Sequence, residues 1–306
     1  MSEPVEREAP AHLPVLADEV TFLLRPRHPG WVVDGTVGMG GHSEQLLDAS
    51  ASRVRLLGLD ADPEALQRAG QRLARFGDRV VLRQGSFRRL VALAAESGVD
   101  EAMAILLDLG LSSYQLDASR RGFSFRGGEP LDMRFDPMAG PTAAELLNRL
   151  SIEELARLIA EHGEERHARR IARRIGERRR VMPLATTDDL VLAVKEAVPR
   201  RAWPRRVHVA TRTFQAIRMA VNEELEALTE ALPQAARLLA RGGRLGVISF
   251  HSGEDRIVKR SFRALQQGGE HVEIEPAPIV PAPDEIRRNP RARSAKLRVL
   301  ARWEAA

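Results

Sequence analysis

The segment Val32–Ser43 reads VVDGTVGMGGHS. Its valines predict a strand, and Gly38, Gly40 and Gly41 predict the strand-to-helix turn that follows. Glycine there permits backbone torsions closed to other residues and lets a ligand approach the main chain. Asp60 stands twenty residues beyond Gly40, at the end of a second apolar run. A carboxylate so placed accepts hydrogen bonds from both hydroxyls of a ribose. The plainer alternative is a tight turn with a capping aspartate and no ligand. Two details bear on the cofactor. The spacing Asp34-x-Thr36-x-Gly38-x-Gly40 is offset from G-x-G-x-x-G, with threonine where the first glycine would stand. Asp34 falls at the strand end, where a carboxylate disfavours two phosphates and favours an ammonium or sulfonium. S-Adenosyl-L-methionine suits that turn better than a dinucleotide.

The chain contains no cysteine. Disulfides, zinc knuckles and cysteine-ligated clusters are therefore excluded, as is a thiolate nucleophile. No other metal site is expected, and a cytoplasmic home is permitted. No apolar run is long enough to span a membrane, and MSEPVEREAPAHLPVL lacks the basic start and apolar core of a secretion signal. Basic residues number 47 against 42 acidic, a net charge of +5, and only Lys195, Lys259 and Lys296 are lysines. So mild an excess fits a polyanion partner weakly, and its distribution matters more than its total.

Several elements must position these residues. Strands are predicted at Trp31–Val37, Val54–Asp60, Val80–Leu82 and Met103–Asp108, alternating with helices at His42–Ala49, Pro63–Phe76 and Phe87–Glu96. Such alternation argues for a parallel sheet covered on both faces. From Leu116 to Val209 strand signals fade, and helices are predicted at Thr142–Arg149, Ser151–His162, Glu165–Arg179 and Thr187–Ala197. Ser151 and Glu154 make a capping-box signature. After Ala210 the pattern returns. A helix is expected over Asn222–Ala240, closed by Gly242–Gly243. A strand at Arg244–Phe250, a helix at Asp255–Gln267 and strands at Val272–Ile274 and Lys296–Arg302 follow. The expected fold is α/β, a doubly wound, mostly parallel sheet interrupted by a helical domain. Residues 1–11 are expected as a disordered tail, 12–115 and 210–306 as the cofactor-binding domain, and 116–209 as the insertion.

Longer motifs are more specific: HLPVL at His12–Leu16, DGTVGMGGHS at Asp34–Ser43, LLDLGLSSYQLD at Leu106–Asp117, RGFSF at Arg121–Phe125 and PLDMRFD at Pro130–Asp136. ATRTFQAIRMAVNEEL at Ala210–Leu225, GGRLGVISFHSGEDRIVK at Gly242–Lys259 and NPRARSAKLRVL at Asn289–Leu300 complete the set. From His12 onward the chain resembles the bacterial ribosomal small-subunit RNA (cytosine-N4)-methyltransferase family, MraW/RsmH. The resemblance implies a class I, Rossmann-like methyltransferase domain and S-adenosyl-L-methionine as cofactor. It implies 16S ribosomal RNA as partner, within the small ribosomal subunit, and methylation of the N4 amine of a decoding-centre cytidine. Cofactor contacts implied by it fall on Gly40, Gly41, His42, Asp60, Phe87, Asp108 and Gln115. Gly253 stands where the family has leucine, a departure that could loosen the helix start after Phe250. The loop Gly127–Gly128–Glu129 departs from the family's more usual Asp-Gly.

The residues constrain the chemistry independently. Methylation of cytosine C5 ordinarily uses a cysteine nucleophile, which this chain lacks. Direct transfer to an amine needs alignment and a proton acceptor. Asp108, at the end of the fourth predicted strand, is the candidate beside the amine, although DLGLSS lacks the two prolines that often follow such a residue. His251, in SFHS at the same sheet edge, is either a proton acceptor, an RNA contact or a structural hydrogen-bonder. Phe87 either stacks on adenine or packs in the core, and Gln115 either binds cofactor or lies exposed in a loop. EERHARRIARRIGERRR at Glu164–Arg180 places Arg166, Arg169, Arg170 and Arg173 on adjoining helix faces, a surface for RNA phosphates or simply a solvated one. Trp203 among arginines either stacks on a base or anchors a core. Two other classes stay open: a nicotinamide-dependent dehydrogenase and a non-catalytic RNA-binding assembly factor. Monomer and homodimer both remain open.

Overall fold

The structure, a computed structural model, describes residues 14–125 and 127–303; the expected tail and His12 lie outside the described residues. In chain order the elements are α1 (Ala17–Leu24), β1 (Gly30–Asp34), α2 (Gly41–Asp48), β2 (Val54–Asp60), α3 (Pro63–Leu73), β3 (Val80–Gln84), α4 (Leu90–Glu96) and β4 (Ala102–Asp108). Next come α5 (Ser113–Asp117), α6 (Ala143–Arg149), α7 (Ile152–Gly163), α8 (Ala168–Arg179), α9 (Thr187–Ala197) and α10 (Thr211–Val221). The chain closes with α11 (Glu224–Leu238), β5 (Leu239–Ser249), α12 (Ser252–Gln267), β6 (His271–Glu273), α13 (Pro283–Arg288) and β7 (Lys296–Arg302).

Two compact units result, one running to Gly110 and resuming at Ala227, the other Leu111–Glu226. The first holds a seven-stranded sheet in the order β3-β2-β1-β4-β5-β7-β6. Strands β1 to β5 pair in parallel, and β7 runs antiparallel to both β5 and β6. Side chains alternate across the pleat, so each strand feeds two cores. Val33, Leu57, Ile105 and Val247 meet Leu90, Leu232 and Phe262 from α4, α11 and α12 on one face. Val32, Leu56, Leu106 and Ile248 meet Val20, Leu46 and Leu73 from α1, α2 and α3 on the other. Both faces of the strands are buried, which explains their near-continuous apolar runs. This is the doubly wound, mostly parallel sheet expected from the sequence.

The second unit is helical. Four of its helices open with capping boxes: Ser112 with Gln115, Thr142 with Glu145, Ser151 with Glu154, and Thr186 with Asp189. The unit extends past the expected 116–209 span because α10 belongs to its core: Phe214, Ile217 and Val221 pack with Leu155, Ile159 and Ile171. Asn222, just after α10, holds the PLDMRFD segment, its Oδ1 accepting from Phe135 N at 2.8 Å and its Nδ2 donating to Met133 O at 2.8 Å.

Other boundaries moved for identifiable reasons. The expected helix to Ala240 stops at Leu238, and Gly242–Gly243 lie inside β5 instead of capping it. The β4–β5 register slips between Ala102 and Ala104, and a Cβ on Gly243 would sit 2.8 Å from both Ala102 O and Ala240 O. Those glycines accommodate a bulge. The first strand ends at Asp34, short of Val37, because the turn begins there. The helix from Pro63 ends at Leu73 and passes into a 3-10 segment containing Gly77 at φ 57°, and the one predicted from Phe87 opens with a 3-10 turn, Phe87–Arg89.

Candidate active site

In the order β3-β2-β1-β4, strand succession reverses between β1 and β4, and the carboxyl ends of those strands form the crevice where such sheets bind ligands. The turn after β1 carries Gly38 at φ 51° and Gly40 at φ 81°, both left-handed. A Cβ at Gly40 would also sit tight against Leu73 at 3.3 Å, where α3 passes behind the turn. Bare main chain there is thus required by torsion and packing together.

Asp60 ends β2 and ties the turn down. Its Oδ2 accepts from Gly38 N and its Oδ1 from Asp62 N, each at 2.9 Å. An ionised carboxylate offers about four lone-pair directions, so two remain for ribose hydroxyls. Burial raises its pKa to about 6, against the opposing pull of the backbone donors at Asp62 and Gly38.

Asp34 takes a different place from the expected one. It is 1 % exposed, with Oδ2 accepting from Ser43 Oγ at 2.7 Å and Oδ1 from Thr36 N at 3.2 Å. Its carboxylate holds β1 to the start of α2 from inside and is engaged there rather than offered to a ligand's ammonium. Burial raises its pKa. Thr36, at the position of the missing glycine, accepts from Asp108 N through Oγ1 at 2.6 Å. The threonine locks the β1 turn to the end of β4. Thr36 and Ser43 carry no signal as partners in the sequence beyond the D-x-T spacing of Asp34 and Thr36.

Asp108 and His42 come together. His42 Nε2 lies 3.6 Å from Asp108 Oδ2, with His42 7 % and Asp108 27 % exposed. That separation is too long for a hydrogen bond. Among the described residues, His42 Nδ1 and Nε2 and Asp108 Oδ1 are buried with no hydrogen-bond partner. Buried polar atoms are costly to leave unmade, so this trio suits an incoming polar group. Phe87 is half-buried against the adjoining core, its Cβ 3.3 Å from where a Gly35 side chain would begin.

His251 is built into the fold. It is the N-cap of α12, Nδ1 accepting from Gly253 N at 3.2 Å and Glu254 N at 3.4 Å, while its Nε2 sits 3.1 Å from Glu254 Oε1. Buried Glu254 returns Oε2 to Phe250 N at 2.8 Å. The glycine at 253 does not loosen this start. A Cβ there would come within 3.1 Å of the His251 ring, and the helix begins at Ser252, earlier than expected. Asp255 pairs with Lys296 at 3.0 Å and with buried Arg298 at 2.8 Å, joining α12 to β7, so those motif residues serve the fold.

In the helical unit, Gln115 is buried in the capping box of α5, its Oε1 accepting from Ser112 N at 3.0 Å. On α8 and just before it, Arg166, Arg169, Arg170 and Arg173 are exposed and carry no ion pair among the described residues. Their neighbours Arg174 and Arg178 pair with Glu196 at 2.8 and 3.1 Å and turn Ile171 and Ile175 into the core. Trp203 is an anchor: Nε1 donates to Val198 O at 3.0 Å, its ring packs on the helical core, and the Arg200 guanidinium lies 5.8 Å from its centroid.

The strand order, the bare turn and the carboxylates at its switch point are those of a Rossmann-like methyltransferase. The chain belongs to the MraW methylase family, whose model matches residues 9–303. It is 50% identical over 312 residues to ribosomal RNA small subunit methyltransferase H of Syntrophotalea carbinolica, covering 97% of this chain and 99% of that one. The protein of the same name from Heliobacterium modesticaldum is 48% identical over 303 residues, covering 94% and 97%. Among solved structures, an rRNA methylase from Streptococcus thermophilus aligns over 94% of both chains at 12% identity and a TM-score of 0.43. Among the described residues no helix is long and apolar enough to cross a membrane, and no cluster suits a metal ion.

Proposed function

We propose that this chain is the S-adenosyl-L-methionine-dependent methyltransferase of small-subunit ribosomal RNA, acting on the N4 amine of a decoding-centre cytidine of 16S RNA in the cytoplasm. The observation that carries the reading is the convergence, in a MraW-family chain, of the left-handed glycine turn, Asp60 and the unpartnered His42–Asp108 pair at one sheet edge. When bound, S-adenosyl-L-methionine supplies a methyl group made electrophilic by its sulfonium.

This chain's residues would do the rest. Gly38–Gly41 bring main chain against the cofactor, and Asp60 takes the ribose hydroxyls on its two spare lone pairs. Asp108 Oδ1 would accept an N–H of the substrate amine, drawing the nitrogen lone pair out of conjugation with the ring so that it is available for transfer, and would take up the proton the amine gives up. His42, beside Asp108 Oδ2, steadies the carboxylate as it takes up the proton. No step requires a covalent intermediate, in keeping with a chain lacking cysteine. Gln115 in the helical unit is the remaining proposed cofactor contact. Arg166, Arg169, Arg170 and Arg173 form the proposed RNA-binding face, with Trp203 bracing it from the core side.

A dehydrogenase and a non-catalytic assembly factor are both disfavoured by membership in a methylase family. The deciding experiment incubates the protein with small-subunit RNA and S-adenosyl-L-methionine and fragments the product by mass spectrometry. A gain of one methyl on N4 of a single cytidine is expected. A methyl elsewhere, or none with free RNA and assembled subunits alike, overturns the reading.

A further inference from the structure

The sheet-bearing unit has a second concavity, at the edge opposite the glycine turn. It is a cavity of about 290 Å³ beside the starts of β4 and the Arg244 stretch of β5, closed by the segment after α1 and by the end of β7. Arg25, Arg27, His28, Arg244, Arg302 and Trp303 line it, and among the described residues no carboxylate does. Along β4, five steps of about 3.3 Å put Met103 on its wall roughly 17 Å from Asp108.

Such a wall is costly to assemble. Arg244 is half-buried, and burial together with the charge of Arg27 lowers its pKa. One of its N–H groups donates to Leu23 O at 2.8 Å, which aims the guanidinium while leaving its other donors without a partner among the described residues. Arg302 is held similarly by Leu239 O at 2.8 Å, and its only carboxylate contact among the described residues is exposed Glu270 at 3.4 Å. Arg25 and Arg27 are exposed and unpaired among the described residues. Cations gathered around a pocket of this size with one exposed carboxylate contact among the described residues fit an anion with several acceptor oxygens. Trp303, 57 % exposed at the rim, adds a flat surface of the kind on which bases stack.

We infer that this cavity is a second anchoring site for the RNA substrate, taking a backbone phosphate on Arg25, Arg27, Arg244 and Arg302 and stacking the adjoining base on Trp303. The inference rests on the proposed RNA substrate. It adds a contact well removed from the reacting atoms, one that raises affinity without touching the chemistry. The phosphate of a free nucleotide shares the same recognition chemistry, so both sources are tested.

The experiment measures binding of a single-stranded RNA oligonucleotide from the substrate region, at several salt concentrations, to wild type, Arg25→Gln/Arg27→Gln, Trp303→Ala and a charge-matched control, Arg260→Gln/Arg263→Gln on α12. Pyrophosphate and adenosine monophosphate are titrated in parallel by tryptophan fluorescence. The cavity pair is expected to weaken RNA binding about tenfold and to lower the slope of log K against log salt by roughly 1.4, two contacts at about 0.7 each. Trp303→Ala weakens it about tenfold with the slope unchanged, and the α12 control stays within about twofold. In turnover, KM for RNA rises while kcat and S-adenosylhomocysteine affinity hold. Equal losses from cavity and control pairs would mean bulk charge alone. Tight nucleotide binding lost in the cavity variants, with RNA binding intact, would mean a free-nucleotide site. Either result overturns the inference. Wild-type methylation measured alongside separates its failure from failure of the substrate reading.

Discussion

Asp60 makes cofactor affinity depend on pH in a window where ordinary carboxylates are already ionised. Its carboxyl is raised to about 6 by burial. To hold two ribose hydroxyls through acceptor oxygens it must be ionised. At pH 7 about nine-tenths of the molecules satisfy that, and at pH 5 about one-tenth do, so affinity should fall about tenfold, or about 1.4 kcal/mol, over those two pH units. The ligand's own α-amino and α-carboxyl groups keep their charges across most of this range. Folding runs the other way. A carboxyl whose folded pKa lies above its unfolded value stabilises the fold fully below about pH 4, and that contribution is lost as pH rises through about 6. Cofactor binding should therefore strengthen over the same interval in which Asp60's ionisation costs the empty fold stability. Calorimetric titration with S-adenosylhomocysteine at pH 5, 6 and 7 reads the effect, with Asp60→Asn as control. The variant should bind more weakly at pH 7 and show a flat profile. A wild-type Kd constant between pH 5 and 7, or an Asp60→Asn profile as steep as wild type, would refute the assignment of the ribose to this carboxylate.

Other substitutions separate chemistry from architecture. Asp108→Asn should lower kcat at least about 100-fold while leaving KM for RNA in place; wild-type kcat would remove Asp108 from the reaction. His251→Ala should cost about 1 kcal/mol in denaturant unfolding through loss of the α12 cap, with kcat retained in the folded fraction, whereas a catalytic His251 would show a kcat loss at full stability. Gly40→Ala should destabilise by about 1–3 kcal/mol, since it forces φ 81° on an L residue and crowds Leu73, and S-adenosylhomocysteine affinity should fall with it. Replacing Arg166, Arg169, Arg170 and Arg173 together with glutamine should reduce the salt slope of RNA binding by roughly 3 and leave thermal stability near wild type; an unchanged slope would show that α8 faces solvent and nothing more.

What the sequence made legible was whatever a residue type demands locally. Left-handed torsions at Gly38 and Gly40 call for glycine wherever they occur, so the turn announced itself, and β2 was placed at Val54–Asp60 because an apolar run ended on a carboxylate. Illegible features were decided by partners lying on other elements. Asp34 reads as a ligand-facing carboxylate until Ser43, on the next helix, claims one of its oxygens. Thr36 reads as a broken glycine motif until it meets the amide of Asp108, 72 residues on. Gly242–Gly243 imitate a helix stop because a bulge and a cap ask for the same residue, and only the β4 partner distinguishes them. α10 joins the helical unit through an apolar stripe that would have suited either core. The site is assembled from both kinds of information. Its glycines and Asp60 are prescribed locally, while the placing of Asp108 beside His42 depends on β1 and β4 becoming neighbours. Thr36 ties those two strand ends together at the level of the reacting groups, so a change at Thr36 should disturb Asp108 more than any other carboxylate in the crevice.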